Sequence, residues 1–139
     1  MRIVLDTNAL VAARFSPGGA AGRIFQLCLE GRLEAIYTPE IERENRAILE
    51  RVRPPLEFRD RLESYFRGGV RVTSQLVLDV VEDSDDNKYL ECAITGGADY
   101  IISSDHHLLA FDGVEGVRIC KAGRFLEEWS ALDEGRAFS

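Results

Sequence analysis

The sequence predicts an α/β protein with a three-layer fold, in which helices flank a mostly parallel β-sheet. Apolar stretches typical of buried strands alternate with amphipathic stretches typical of helices over nearly the whole 139-residue chain, and this alternation favours right-handed strand–helix–strand units. A second observation concerns the strand ends. The apolar strand at residues 3–5 is followed by Asp6, and the apolar strand at residues 98–104 is followed by Asp105. Because ligands bind at the carboxyl ends of parallel strands, these two acids mark a candidate site.

We expect one domain over residues 1–130 and a polar C-terminal tail over residues 131–139. A chain of 139 residues is long enough to bury a core without disulfides or a structural metal. No apolar run approaches the roughly 20 residues needed to cross a bilayer. The sequence also enters a strand at once, instead of beginning with a basic segment and an apolar signal core. We therefore expect a cytoplasmic protein.

Charge and cysteine content narrow the function further. The formal net charge of −7 disfavours a generic nucleic-acid binder, but a nuclease whose acids hold a metal ion remains compatible with it. Eight of the 15 arginines lie between Arg43 and Arg71 and are interleaved with seven acids from Glu40 to Glu63. This pattern favours a solvated, ion-paired helical face over phosphate contacts. Cys28, Cys92 and Cys120 show no metal-binding or redox spacing, so we expect small buried side chains in a reducing compartment.

The first part of the chain begins with the strand at residues 3–5. Thr7 is the predicted N-cap of a short apolar helix. A helix is predicted over residues 20–30, and Gly31 ends it in the C′ position that glycine favours. Residues 33–37 are predicted to form the second strand.

Glu44 lies on a helix with strong start signals. Thr38 is a predicted N-cap and Pro39 suits the first helical position, so the helix should cover residues 39–52. Its predicted buried stripe consists of Ile41, Ile48 and Val52. Glu44 borders that stripe instead of pointing directly to solvent. An acid at the margin of a buried face needs a partner.

A second helix, over residues 56–67, is predicted to form a helical hairpin with the first. Its apolar side consists of Leu62, Tyr65 and Phe66. Residues 70–73 are a candidate third strand. The apolar stretch at residues 76–81 is short, and its pattern leaves both strand and extended loop open.

An acidic run at residues 82–87 leads into a helix predicted over residues 88–95. Acids are favourable at a helix N-terminus. The N-cap candidates are Asp83, Ser84 and Asp85. Asp86 precedes Leu90 by four residues and Ala93 by seven, so it should share the helix face that packs on the sheet. A carboxylate on that face points toward the strand ends.

The last part of the chain is predicted to contain a short helix or turn at Asp105, a strand at residues 117–120 and a terminal helix. The packing residues of the terminal helix are Phe125, Leu126 and Trp129. His106 and His107 follow Asp105, and imidazoles are common ligands of transition metals. Neighbours in a helix point to different sides, however, and no histidine follows at a four-residue spacing. The pattern therefore disfavours a histidine metal site.

Four carboxylates converge on the carboxyl edge of the predicted sheet by independent arguments. They are Asp6, Glu44, Asp86 and Asp105. Carboxylate oxygens without imidazole or thiolate are the ligands that Mg²⁺ and Mn²⁺ prefer, and such a cluster is repulsive unless a cation neutralises it. A site of this kind is typical of phosphoryl transfer, in which the metal activates water and stabilises charge on the scissile phosphate.

The chain resembles the PIN-domain ribonucleases, in particular the VapC-like toxins of bacterial and archaeal toxin–antitoxin pairs. Four motifs carry the resemblance over residues 1 to about 120, at residues 3–8, 38–44, 83–93 and 97–109. The resemblance implies a parallel five-stranded sheet in the order 3-2-1-4-5. It also implies a Mg²⁺-dependent endoribonuclease, with Mn²⁺ as a substitute.

The same resemblance implies roles for individual residues. The catalytic and metal-binding residues would be Asp6, Glu44, Asp86 and Asp105. Residues of second rank, which orient the acids or a water, would be Thr7, Asn8, Asp83 and Ser104. Ser104 and His106 stand where related toxins often have glycine or a basic residue, so the substrate preference stays open.

The partners that the resemblance implies are an RNA substrate, a second copy of the chain and a small antitoxin. The helical hairpin at residues 39–67 has more apolar residues than one sheet face can cover, and we expect it to contact a partner or second copy. The expected homodimer depends on the resemblance more than on the pattern of residues.

Two other functions fit parts of the pattern. A phosphatase with an aspartyl nucleophile would use Asp6, but that chemistry needs a second aspartate two residues later, where the chain has Asn8. A catalytically silent interaction module would keep the fold alone. Because all four acids are present, the sequence favours the metal-dependent ribonuclease.

Overall fold

The fold is a five-stranded, all-parallel β-sheet surrounded by helices, as seen in a computed structural model. The structure describes the backbone of residues 1–73 and 84–137 and the side chains of residues 1–73 and 87–132. The strands are β1 Arg2–Leu5, β2 Glu34–Tyr37, β3 Val70–Arg71, β4 Tyr100–Ile102 and β5 Arg118–Cys120. Their order across the sheet is β3-β2-β1-β4-β5, and every neighbouring pair is parallel. The predicted fold class and strand order are confirmed.

Seven α-helices lie in the described ranges. They are α1 Thr7–Phe15, α2 Ala20–Leu29, α3 Pro39–Arg51, α4 Leu56–Gly68, α5 Ser84–Gly96, α6 His106–Leu109 and α7 Ala122–Ala137. Gly31 follows α2 with a φ of 75°, so glycine ends this helix as predicted. The helix α7 continues into the segment predicted as a tail, and a domain boundary near residue 130 stays a prediction.

Strands β1 and β4 lie at the centre of the sheet and determine where two acids emerge. The three apolar residues of β1 are at most 2% exposed, as expected for a parallel strand covered on both faces. Leu5 pairs with Ile102 at the ends of the two strands, and the Asp6 backbone N–H donates to the Ile102 carbonyl oxygen at 3.2 Å. The segments that carry Asp6 and Asp105 therefore leave the sheet side by side.

Aspartates cap the helices that follow these two strands. Asp6 is the N-cap of α1, and its Oδ1 accepts a hydrogen bond from the Ala9 N–H at 2.8 Å. Asp105 caps α6 in the same way, through the His107 N–H at 2.9 Å. The prediction that Thr7 is the N-cap is wrong, because Thr7 is already the first residue of α1 and its hydroxyl bonds to a side chain of another helix.

Helix α3 begins as predicted but buries a different face. Thr38 caps it by accepting a hydrogen bond from a backbone N–H. The residues that it buries are Ile41, Asn45 and Leu49. Ile48 and Val52 are only half-buried, so their prediction as core residues is wrong. The buried face includes the polar Asn45, whose side chain hydrogen-bonds to Thr7. A search for apolar residues alone therefore predicts the wrong buried face for this helix.

Helix α4 packs its aromatic side into the core. Its buried residues are Phe58, Leu62, Tyr65 and Phe66. The three aromatic rings among them contact the rings of Phe25 and Tyr37, with centroids 5.0–5.5 Å apart. Contact of the hairpin with a partner or second copy stays a prediction, but Leu62 and Phe66, only 6% and 5% exposed, are covered within the chain. The cause is α2, which packs against α4 and covers a face that the sheet alone could not.

Part of the arginine cluster on α3 and α4 is ion-paired. Arg46 pairs with Glu42 and Glu63, and Arg59 pairs with Glu50. These contacts agree with the predicted solvated, ion-paired face. Such exposed pairs contribute little to stability, because water and salt screen them.

The structure also bears on the predictions for the cysteines and for membrane-spanning segments. Cys92 and Cys120 are buried and Cys28 is half-buried, and all three are free thiols. Burial raises the pKa of Cys28 and of Cys92 to about 12, so both thiols are uncharged at neutral pH. In the part of the chain that the structure describes, no helix is long and apolar enough to cross a membrane.

Two predictions concern residues that lie partly outside the described ranges. The apolar stretch at residues 76–81 lies outside the described residues, and so do the side chains of the acidic residues 82–86, which include Asp83 and Asp86. The helix α5 begins at Ser84, four residues earlier than predicted, so Asp86 belongs to its first turn.

Candidate metal centre

Three of the four predicted acids face one cavity at the carboxyl edge of the sheet. Asp6, Glu44 and Asp105 line a cavity of about 130 Å³. The remaining lining residues are Thr7, Asn8, Ile48, Lys88 and Tyr89. The three acids come from the end of β1, from α3 and from the segment after β4, so the fold brings together residues that are far apart in sequence.

Asp6 is the most deeply placed of these acids, with 4% exposure. Its Oδ1 accepts the capping hydrogen bond from Ala9, and its Oδ2 accepts a hydrogen bond from the Ser103 hydroxyl at 2.5 Å. Burial raises the pKa of the Asp6 carboxyl above its ordinary value of 3.8. The negative charges of Asp105 and Glu44 raise it further, and the two hydrogen bonds only partly oppose this shift. Asp6 is therefore an acid that folding makes harder to ionise.

Ser103 connects Asp6 to Asp105. Its Oγ donates to Asp6 and accepts a hydrogen bond from the Asp105 backbone N–H at 3.0 Å. Sequence reasoning assigned an orienting role to Ser104, but Ser104 is exposed and lines a neighbouring cavity with Asn8. Both serines follow the end of β4 at Ile102, and the hydrogen bond to Asp6 comes from Ser103. The role of Ser104 stays a prediction.

Glu44 accepts three hydrogen bonds from side chains. Lys88 Nζ donates to its Oε1 at 2.9 Å, and the Tyr89 hydroxyl and the Thr7 hydroxyl donate to its Oε2 at 2.6 Å and 3.0 Å. Burial raises the pKa of Glu44, but the hydrogen bonds from Tyr89 and Lys88 and the charge of Lys88 outweigh it. The pKa is therefore below its ordinary value of 4.5. Glu44 is ionised at neutral pH and has found the partner that its position requires.

A buried polar network holds these donors in place. Asn45, 1% exposed, donates to the Thr7 hydroxyl at 2.8 Å, and the Thr7 backbone N–H donates to the Tyr89 hydroxyl at 3.3 Å. Burial and the hydrogen bond to Glu44 raise the pKa of Tyr89, so its hydroxyl stays protonated and keeps donating.

Sequence reasoning missed Ser103, Asn45, Lys88 and Tyr89. One signal was available for the last two, because both belong to the same helix start as Asp86 and stand directly before Leu90, a predicted buried position. Nothing in the pattern separates Asn45 from an exposed polar residue of an amphipathic helix.

The adjacent histidines lie closer together than their spacing predicts. The rings of His106 and His107 are 4.2 Å apart between centroids. Among the described residues, the only His, Cys and acidic side chains that bring three ligand atoms within 4.8 Å of one another are Asp105, His106 and His107. The expectation that the two imidazoles point to different sides is therefore wrong, although both rings remain exposed.

The donors of the cavity fit a hard divalent cation. Its described lining offers carboxylate, hydroxyl and amide oxygens and contains no imidazole or thiolate, which is the ligand chemistry that Mg²⁺ and Mn²⁺ prefer. Burial is the main cause of the raised pKa of Asp6, and the negative charges of Asp105 and Glu44 add to it. A bound cation would offset both effects.

A parallel α/β sheet with an acidic cavity at its carboxyl edge defines a class of proteins suited to binding divalent cations. The profile of a family described as PIN domain matches residues 2–107, a range that includes all four predicted acids. The chain belongs to the PIN domain family, whose members are generally nucleases.

One similar protein is the uncharacterised protein MJ1680 of Methanocaldococcus jannaschii. It is 27% identical over 116 residues, which cover 79% of this chain and 74% of the archaeal protein. No solved structure matches the chain significantly. The printed name of this archaeal relative gives no substrate, so the similarity does not indicate one for this chain.

Proposed function

We propose that this protein is a Mg²⁺-dependent endoribonuclease that hydrolyses RNA phosphodiester bonds, with Mn²⁺ as a substitute ion. The observation that carries the proposal is the shared cavity of Asp6, Glu44 and Asp105. Asp86, in the first turn of α5, is proposed as a fourth acid of the site. Membership of a family of nucleases supports the same reaction class.

The chain's own residues would perform distinct tasks in this reaction. A bound Mg²⁺ would supply Lewis-acid stabilisation of the scissile phosphate and activation of water. Asp6 and Asp105 would bind the ion, and Ser103 would hold them in register through its two hydrogen bonds. Glu44, ionised and held by Thr7, Tyr89 and Lys88, would orient water toward the reacting phosphate.

Asn8, Ser104 and Asp83 keep the orienting role that the family resemblance implies, as a proposal. Asn8 lines the acidic cavity and its small neighbour, and this position supports a proposed contact with the substrate. Ser104 lines the neighbouring cavity but not the acidic one.

The experiment is RNA cleavage by the purified protein with Mg²⁺, with Mn²⁺ and with EDTA. We expect cleavage of single-stranded or structured RNA in either ion and none in EDTA. Asp6→Asn should reduce the rate by roughly 10³-fold, because several kcal/mol of charge stabilisation is lost. Asp60→Asn, at an exposed acid of α4, is the matched control and should keep the parent rate.

Two results would contradict this proposal. Cleavage that survives thorough chelation would exclude a metal-dependent reaction. Cleavage that requires Zn²⁺ and is lost in a His106→Gln variant would assign the chemistry to the histidine cluster instead of the acidic cavity.

We further propose that the protein acts in the cytoplasm as the toxin of a toxin–antitoxin pair, as a homodimer inhibited by a small antitoxin. The support is the resemblance to VapC-like toxins. Since Leu62 and Phe66 are buried, the contact surface must use other residues. Among the large apolar side chains that the structure shows exposed are Phe15 and Leu56, at 59% and 72%. Light scattering of the parent and of Phe15→Ser and Leu56→Ser variants tests the dimer, and a monomeric parent would contradict it.

A further inference from the structure

Lys88 places a fixed positive charge against the acids of the cavity. Its side chain is 7% exposed, and its Nζ lies 2.9 Å from Glu44 Oε1. A buried ammonium group is unfavourable unless an anion pairs with it, so Lys88 and Glu44 hold each other in place. Lys121, the other lysine of the chain, is exposed and gives a comparison.

Both oxygens of Glu44 already accept hydrogen bonds from the protein. Oε1 accepts from Lys88, and Oε2 accepts from Tyr89 and Thr7. Mg²⁺ binds its oxygen ligands at about 2.0–2.1 Å. An ion at that distance from Oε1 would lie next to the buried Lys88 ammonium group, and the two positive charges would repel each other.

The described acids are also too spread out for one ion to contact all of them. Among the described His, Cys and acidic side chains, three ligand atoms come within 4.8 Å of one another only at Asp105 and the two histidines. The oxygens of Asp6, Glu44 and Asp105 therefore do not all lie within that distance of one another. Asp6 and Asp105 are linked through Ser103, and neither has a described cationic partner. Their two negative charges are enough to balance one divalent ion, and the proposed fourth acid, Asp86, would add to that negative charge.

We propose that Lys88 takes the place of a second divalent ion beside Glu44, so that the site binds one ion, on the side of Asp6 and Asp105, and Glu44 reaches that ion through water. The inference depends on the proposed metal-dependent function and specifies its metal content. Water-mediated contacts of this kind are nearly as favourable in enthalpy as direct hydrogen bonds. Lys88 is then a positioning residue, because it acts through Glu44.

The test is a calorimetric titration of the full-length protein with Mn²⁺. We expect one ion for the parent, for Lys88→Arg, which keeps the charge, and for Lys121→Met, which removes a lysine outside the site. Lys88→Met leaves Glu44 without its cation. We therefore expect this variant to bind a second ion at least ten times more tightly than the parent does, and to melt at a lower temperature in EDTA.

Each outcome decides the proposal. Two ions of similar affinity in the parent, or a Lys88→Met variant whose titration matches the parent, would overturn it. If Lys88→Met does not fold, one ion in both the parent and Lys88→Arg supports the proposal, and two ions in either overturns it. The cleavage assay is separate: a parent that cleaves RNA but binds two ions would refute only the role of Lys88, whereas a parent without cleavage would refute the proposed function.

Discussion

Asp6 and Glu44 face the same cavity but experience opposite environments. Asp6 is buried at a strand end, with one hydrogen-bond donor on each oxygen and no described cation beside it, and its pKa is raised. Glu44 lies on a helix margin with three donors, one of them a buried ammonium group, and its pKa is lowered. Folding therefore opposes the charge of one acid and supports the charge of the other.

The difference shows that acids of one site need not have equal roles. An acid with a raised pKa and oxygens open to the cavity gains most from a bound cation. An acid that the protein already neutralises gains little from direct contact with that cation. The following substitutions separate these two environments, from the largest expected effect on stability to the smallest.

Tyr89→Phe should weaken the environment of Glu44. It removes a buried hydrogen bond to a charged group, so we expect a loss of about 2 kcal/mol in the free energy of unfolding at pH 7. The support for Glu44 is present above its ordinary pKa of 4.5 and is lost as the pH falls through the lower folded value. The difference in the free energy of unfolding between parent and variant should therefore narrow at acidic pH, as measured by urea unfolding.

A matched control for this variant is Tyr37→Phe. The Tyr37 hydroxyl donates to the carbonyl oxygen of Phe66, which is a neutral acceptor. Loss of this hydrogen bond should lower the free energy of unfolding by only about 1 kcal/mol. The difference between parent and Tyr37→Phe should not narrow below pH 4.5. Equal losses of unfolding free energy and equal pH profiles for the two variants would contradict the stronger hydrogen bond proposed for the ionised Glu44.

Ser103→Ala should weaken the environment of Asp6 and Asp105 together. It removes the donor to Asp6 Oδ2 and the acceptor of the Asp105 N–H, so we expect a loss of about 1–2 kcal/mol and weaker Mn²⁺ binding. Ser104→Ala, at the exposed neighbour, should change stability by less than about 0.5 kcal/mol. Unfolding and Mn²⁺ titration of both variants check this, and a larger effect at Ser104 would reverse the assignment.

Asp6→Asn should have the smallest effect on stability, and in the opposite direction. Asparagine caps a helix as well as aspartate does, and the change removes a charge that costs about 1 kcal/mol. In EDTA at pH 7 the variant should therefore be as stable as the parent or up to about 1 kcal/mol more stable. The benefit should vanish near pH 4, because the penalty of an acid with a raised pKa appears only as the pH rises above its ordinary value of 3.8.

Melting curves with EDTA and with Mg²⁺ measure this effect. Added Mg²⁺ should raise the melting temperature of the parent more than that of Asp6→Asn, since the variant has lost a proposed ligand. A variant that melts well below the parent in EDTA would mean that Asp6 is a structural residue.

Much of the fold could be predicted from local patterns. The alternation of apolar strands and amphipathic helices, the cap at Thr38 and the glycine at position 31 all depend on residues close in sequence, and each is confirmed. Local patterns did not predict the features that a neighbour from elsewhere decided. Leu62 and Phe66 are covered by α2, and the buried face of α3 is set by the polar contacts of Asn45.

The sequence by itself determined that one acid directly follows β1 and that another follows β4 after two serines. The parallel pairing of those strands places Asp6 beside the segment of Asp105. Only the tertiary structure decided which donors each acid has. Lys88 and Glu44 are 44 residues apart, and Ser103 and Asp6 are 97 apart. A strand or a cap is stabilised by its own neighbours, whereas the charge state of a carboxylate depends on burial and on side chains delivered by other elements, and these contacts exist only after α3, α5 and the sheet have packed together.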